Sequence, residues 1–200
     1  MKRSLLLFLT CGIVYLAGSS YSSGPSLAGH VTAVNGCNLS GCHGASNAAT
    51  VPSLVVVAKT SGDTVKNGKY TPGVTYIVTV IGSNPAAQGF GFILRASQNG
   101  GSAQSGSFAN PTPSASTKTQ SVGGFTVFEH KSIVPVTSGA FSASVEWTAP
   151  AGGAGSAVMN LAVNAVNSNG TTSGDQWNTT SVTLTENTTS SVAAIDSGLQ

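Results

Sequence analysis

Charged residues are scarce in this chain of 200 residues, which has eight Lys and Arg and six Asp and Glu. Two of the eight basic residues, Lys2 and Arg3, precede an apolar run, and removal of that run on export would leave six basic and six acidic residues. No basic cluster then remains to neutralise a series of phosphate groups. The composition therefore argues against nucleic acid as a partner.

Long hydrophobic runs are also few. The run at residues 4–17 is shorter than the roughly 20 residues that a membrane-spanning helix needs. Because it follows a basic start and precedes the small residues "AGSS", it is typical of a signal peptide, which we place at residues 1–19. No second run of spanning length follows, so we expect a mature chain without a membrane span, secreted, periplasmic or at the cell surface.

A helical period of apolar residues is absent as well. Apolar residues instead alternate with polar ones in seven short segments, which Gly-, Asn- and Pro-rich turns separate. Such segments are typical of β-strands, and they lie at residues 53–58, 75–82, 89–96, 123–132, 140–149, 156–166 and 180–186. Their number and spacing predict an all-β fold, an antiparallel β-sandwich.

Two segments do not follow this alternation. Residues 97–120 have low complexity, and we expect an exposed loop or a weak edge hairpin there. Residues 187–200 contain little that could be buried, which predicts a disordered tail. The expected organisation is a signal peptide at 1–19, an N-terminal arm at 20–52, the sandwich at 53–186 and the tail at 187–200.

Cysteine is rare, and its placement is the main chemical signal. Of the three cysteines, Cys11 lies in the predicted signal peptide, which leaves Cys37, Cys42 and the adjacent His43 in "CNLSGCH". In a c-type haem site two cysteines bind the haem covalently, and the histidine directly after the second one binds the iron. Although two intervening residues are the common spacing, this CxxxxCH pattern predicts one covalent haem c, with Cys37 and Cys42 as thioether tethers and His43 as proximal ligand.

Two other kinds of site remain open for this cluster. A Cys37–Cys42 disulfide is permitted in an oxidising compartment, although so short a loop removes little unfolded-state entropy. A structural zinc site needs four ligands and would have to recruit His30 or His130. Haem is the interpretation that uses the position of His43, and we favour it for that reason.

A bound haem iron would have a second axial position, for which the sequence offers three candidates. His130 is the first, because it alternates with Phe128 on a predicted strand and could project towards the haem loop. His30, seven residues before Cys37, is the second. Met159 lies in the middle of an apolar strand, where a core position is the simpler interpretation. An open or water-filled position is the remaining alternative.

From about residue 23 to residue 186 the chain resembles bacterial Reeler-like secreted domains, relatives of the reelin N-terminal domain. The resemblance is carried by "SGPSLAGH", "YTPGVTYIVTV", "SNPAAQGFGFILRA", "FEHKS" and "SVTLTE", and most specifically by "VEWTAPAGGAGSAVMNLAVNAVNSNGTTSGD". It implies an immunoglobulin-like sandwich. Because many of these domains carry a c-type haem motif before the sandwich, it also implies a haem-attachment loop within residues 20–52.

Two functions follow from these observations. The first is an exported monohaem c-type cytochrome that exchanges single electrons with redox partner proteins. The second is a haemless extracellular interaction or matrix module with a Cys37–Cys42 disulfide. We expect no enzyme, since the sequence has no nucleophile elbow and no Gly-rich loop that opens a helix. The balance of acids and bases opposes association little, so we also expect a homo-oligomer or polymer.

Overall fold

A computed structural model describes residues 23–25, 43–62, 65 and 68–188 of the chain. These residues form ten β-strands and no α-helix, so none of them belongs to a helix that could cross a membrane. The strands are β1 (Val51–Ala58), β2 (Lys69–Tyr70), β3 (Thr75–Ser83), β4 (Gly89–Gln98), β5 (Ser107–Thr112), β6 (Thr117–Val122), β7 (Phe125–His130), β8 (Ala140–Thr148), β9 (Ala157–Val166) and β10 (Gln176–Glu186).

The strands form two sheets that face each other. The smaller sheet has the order β1-β3-β8-β5, and the larger sheet has the order β2-β10-β9-β4-β7-β6. All neighbours within the sheets are antiparallel except the short pair of β2 and β10. The predicted all-β fold, an antiparallel β-sandwich, is confirmed.

The core between the sheets is built from alternate residues of each strand. In β3, for example, Tyr76, Val78 and Val80 are buried while the residues between them are partly exposed. Trp147 of β8 is fully buried, and its indole Nε1 donates to the Ser105 carbonyl oxygen at 3.0 Å. This bond satisfies the polar atom of the largest core side chain, so the ring contributes its apolar area without an unpaired donor.

The face of the larger sheet that points away from this core is also partly apolar. Five buried side chains form what we call the outer cluster: Ile93, Val122, Phe125, Val127 and Ala162. They belong to β4, β6, β7 and β9. The larger sheet therefore buries apolar side chains on both faces, which the alternation of its sequence alone did not indicate.

The segment at residues 97–120 differs from the expectation of an exposed loop or weak edge hairpin. It contains β5, where Phe108 is buried opposite Trp147 in the smaller sheet. Its last residues begin β6, which pairs with β7 in the larger sheet, Thr117 lying opposite His130. The segment thus adds one edge strand to each sheet, and its polar composition reflects the exposed sides of those edges.

Candidate functional site

The candidate site lies on the outer face of the larger sheet, around one cross-strand pair. Val163 and Ala165 of β9 point into the core, so Asn164 between them points to the opposite face. The register places Gly91 of β4 directly opposite Asn164. Asn164 is only 8% exposed, and its Oδ1 makes no hydrogen bond. A buried, unsatisfied carbonyl oxygen at this point indicates a polar site rather than simple packing.

His43 contacts this pair from the side of β9. Its Nε2 lies 3.5 Å from Asn164 Nδ2, and its Nδ1 lies 3.5 Å from Asp175 Oδ2. Both distances are at the outer limit of hydrogen bonding, and Nδ1 has no hydrogen bond of good geometry. The negative carboxylate nevertheless favours a proton on Nδ1, while the amide N–H group favours a lone pair on Nε2.

The charge state of His43 follows from burial. Burial lowers the pKa of the His43 imidazole, and the Asp175 carboxylate and the backbone of Thr172 only partly oppose this effect. The neutral ring is therefore favoured near neutral pH. A neutral imidazole with a lone pair on Nε2 is the form of histidine that binds a metal.

Asp175 is held in place by the loop between β9 and β10. Its Oδ1 accepts from the backbone N–H of Asn167 at 3.2 Å, and its Oδ2 accepts from Asn164 Nδ2 at 3.4 Å. The contact of Asn164 Nδ2 with a carboxylate also fixes the orientation of the amide, so Nδ2 rather than Oδ1 faces His43. Asp175 and Asn164 thus position the His43 ring together.

His130, the last residue of β7, lies on the other side of the same pair. Its Nδ1 is 3.0 Å from the backbone nitrogen of Phe92 and 2.9 Å from the Phe92 carbonyl oxygen. If Nδ1–H donates to that oxygen, Nε2 carries a lone pair. If Nδ1 instead accepts from the backbone N–H, Nε2 carries the proton. The backbone of Phe92 permits both tautomers, so the group that meets Nε2 selects between them.

Gly91 makes room for the His130 ring. A Cβ atom at this position would lie 3.1 Å from Cε1 and 3.3 Å from Nε2 of His130. Such contacts are tighter than ordinary van der Waals distances, so any larger residue at Gly91 would displace the ring. His43 and His130 therefore flank one cross-strand pair, Gly91 and Asn164, although they are 87 positions apart in sequence.

The other predicted site residues are not brought to this place by the described structure. Cys37, Cys42 and His30 lie outside the described residues. Met159 is fully buried in the core between the sheets, on the face of β9 opposite to Asn164. In the described ranges, no group of three or more His, Cys, Asp or Glu side chains is arranged to bind a metal ion.

Glu129 is the second titratable group near this end of β7. It is fully buried, and burial raises its pKa to about 7, although Lys118 partly opposes the effect. Lys118 Nζ lies 3.3 Å from one carboxylate oxygen but donates its short hydrogen bond, 2.6 Å, to Gln120. Gly24, at a φ of 92°, packs so closely that a Cβ atom would lie 2.8 Å from Glu129 Oε1. The N-terminal segment at 23–25 thus covers the carboxyl group.

Sequence reasoning missed three residues of this site: Gly91, Asn164 and Asp175. Two of them carried a weak signal, since Asn164 is a polar residue within an apolar strand and Asp175 is one of only six acids. Neither signal indicates that the residue lies beside His43, because Asn164 and Asp175 are 121 and 132 positions away from it in sequence.

The chain was compared with known families, proteins and structures. No protein-family model and no curated protein matches it. Among solved structures, the Reelin-N domain of F-spondin is 18% identical over 68% of this chain and 86% of that chain, with a TM-score of 0.47. The human F-spondin reeler domain is 20% identical over 66% of this chain and 92% of that chain, with a TM-score of 0.43.

A fimbrial protein is also similar. AggA, the major subunit of aggregative adherence fimbriae type I from Escherichia coli, is 15% identical over 72% of this chain and 99% of that chain, with a TM-score of 0.37. At these identities and TM-scores the similarity extends to no cofactor, partner or activity.

Proposed function

We propose that this protein is an exported c-type cytochrome with one covalent haem, which transfers single electrons outside the cytoplasm. Cys37 and Cys42 would attach the haem, and His43 would be the proximal iron ligand. The observation that carries the proposal is the setting of His43, whose Nε2 faces the Asn164 amide while Asp175 stands beside Nδ1. A carboxylate beside the second ring nitrogen is the usual support of a metal-bound histidine.

His130 is the distal ligand in this proposal. It flanks the same cross-strand pair as His43, and the Phe92 carbonyl oxygen at 2.9 Å can hold the proton on Nδ1. A proton on Nδ1 puts the lone pair on Nε2, which is the tautomer that binds a metal through Nε2. His30 remains the second candidate for this position, and it lies outside the described residues.

The protein's own residues would supply attachment, orientation and exclusion of water. When bound, the haem supplies an iron that gains and loses one electron. Asp175 would orient His43, and the apolar outer cluster would lower the polarity beside the haem. These roles describe an electron-transfer protein with redox partner proteins rather than an enzyme, because they provide no group that acts on a bound substrate.

Production of the chain in bacteria that contain a haem-attachment system tests the proposal. We expect a red protein whose Soret absorption survives acid-acetone extraction, because the haem is bound covalently. The matched control is the double variant Cys37→Ala, Cys42→Ala, which should be colourless after the same purification. A colourless wild-type protein would falsify the proposal.

The role of His130 needs a separate measurement on the same red protein. Two histidine ligands give a low-spin oxidised iron, which electron paramagnetic resonance distinguishes from a high-spin iron with an open position. We expect the low-spin signal in the wild type and its loss in His130→Ala. A low-spin signal that survives in His130→Ala but is lost in His30→Ala would assign the distal position to His30.

A haemless interaction module is the second candidate function, and one surface favours it. The edge strand β1 contains no charged residue and exposes Val51 (54%) and Val55 (38%). An uncharged apolar edge can pair with a strand of a second copy of the chain. Intact mass separates the two functions, since a haem adds its mass and a Cys37–Cys42 disulfide removes two hydrogens.

A further inference from the structure

Arg95 of β4 is a buried cation without a polar partner among the described residues. The residue is 7% exposed, and its Nε makes no hydrogen bond with any of them. Within the described part of the chain, no hydrogen bond or ion pair joins its guanidinium group to another residue; its one specific contact is with the Phe125 ring, whose centroid lies 4.9 Å from Cζ. Burial lowers the pKa of Arg95. A buried guanidinium group with five donors normally has an anion as its partner.

The acid that lies closest in the sheet register does not fill this role. Glu129 pairs with Ile93, two residues before Arg95 on the same strand. Its carboxyl group contacts Lys118 at 3.3 Å instead, and Gly24 packs against it. Contact with the ring of Phe125 offsets part of the cost of burying the charge, but it satisfies none of the N–H donors.

Arg95 lies on the same face of the sheet as the histidine site. Residues of a strand alternate between faces, so Gly91 and Arg95, four positions apart, share the outer face at a separation of about 13 Å along the strand. Ile93 lies between them, directly opposite Ala162 of β9. Both side chains are buried members of the outer cluster. An apolar strip thus leads from the pair of Gly91 and Asn164 to the guanidinium group.

We propose that Arg95 binds a carboxylate of the ligand that the two histidines hold. This inference rests on the proposed function, under which the carboxylate is a propionate of the covalent haem. A porphyrin is a flat apolar molecule with carboxylates at one edge, which matches an apolar strip that ends at a guanidinium group. Arginine is suited to this role because its planar fork binds a carboxylate through two parallel hydrogen bonds.

The test compares Arg95→Met in two forms of the full-length protein, with covalent haem and without it. The haemless form is made in cells that lack the attachment system. Methionine retains an unbranched apolar side chain and removes the buried charge. In the haemless form we expect a higher urea midpoint, because the variant removes an unpaired charge. In the haem-bearing form we expect a lower midpoint, because the variant leaves a propionate without its partner.

Two further variants control the comparison. Lys59→Met removes an exposed cation that directly follows β1 and pairs with Glu146 at 2.7 Å, and it should change both forms equally. Arg95→Lys keeps the charge but lacks the planar fork, so the propionate bending band in the resonance Raman spectrum should shift although the fold is retained.

The outcomes separate this inference from the proposed function. A change of the midpoint in the same direction in both forms, or an unchanged Raman band in Arg95→Lys, overturns the role of Arg95 and leaves the cytochrome proposal intact. A wild-type protein without covalent haem overturns both. Opposite changes in the two forms, together with a shifted band, support the proposal.

Discussion

The buried carboxyl group of Glu129 makes the stability of this protein depend on pH in a direction opposite to that of most acids. Its ordinary pKa of 4.5 rises to about 7 in the fold because burial disfavours the charged form. Below pH 4.5 the group is neutral in both the folded and the unfolded state. Between about 4.5 and 7 the unfolded chain ionises first, so the free energy of unfolding falls as the pH rises. Above pH 7 both states are ionised and the penalty stays constant.

The size of the effect follows from the difference between the two pKa values. At about 1.4 kcal/mol for each pH unit, the loss of stability across this window is at most about 3.5 kcal/mol. A loss of this size would be a large fraction of the roughly 5–15 kcal/mol that stabilises a typical domain.

Urea unfolding between pH 4.5 and 8 measures this dependence, and Glu129→Gln isolates it. Glutamine has the shape of the protonated acid and cannot ionise, so the difference between wild type and variant should grow in favour of the variant as the pH rises to about 7. Because His43 titrates in both proteins, its contribution cancels in the difference. Glu146→Gln is the matched control, since a hydrogen bond with Lys59 lowers the pKa of that exposed acid. Parallel curves for wild type and Glu129→Gln would refute the reasoning.

Three further predictions concern the site and the edge strand. In urea titrations, Gly91→Ala should lower the free energy of unfolding by about 1–3 kcal/mol, because its Cβ would lie 3.1 Å from the His130 imidazole. The control Gly152→Ala, whose Cβ would have only ordinary contacts, should change this free energy far less. Asp175→Asn should lower the pKa of His43 further in NMR titrations of the haemless protein, since a carboxylate that raises it is lost; an unchanged value would show that the carboxylate does not act on the ring. Val55→Lys should reduce self-association in light scattering at high concentration, as a charge on an edge strand opposes pairing with another copy.

Parts of the fold follow from local sequence alone. Alternating apolar residues predicted β3 at residues 75–82, and the strand occupies Thr75–Ser83. The prediction for β10 began at residue 180, whereas the strand begins at Gln176 because Trp177 is buried and bonded to the Gly44 carbonyl oxygen at 2.7 Å. For residues 97–120 the prediction was an exposed loop or a weak edge hairpin, whereas β5 and β6 are edge strands of two different sheets. Phe108 is the only large apolar residue there, and its burial depends on Trp147, which is distant in sequence.

The sequence by itself determined which residues alternate between two faces, and it predicted that the motif of Cys37, Cys42 and His43 attaches a haem. Both are local properties, since the period of a strand and the spacing of Cys37, Cys42 and His43 are set within a few residues. Only the tertiary structure decided that Asn164 and Asp175 stand beside His43, and that Arg95 is buried with no anion among the described residues. These contacts depend on strand order and register, which are fixed by the packing of the whole sandwich rather than by any one segment.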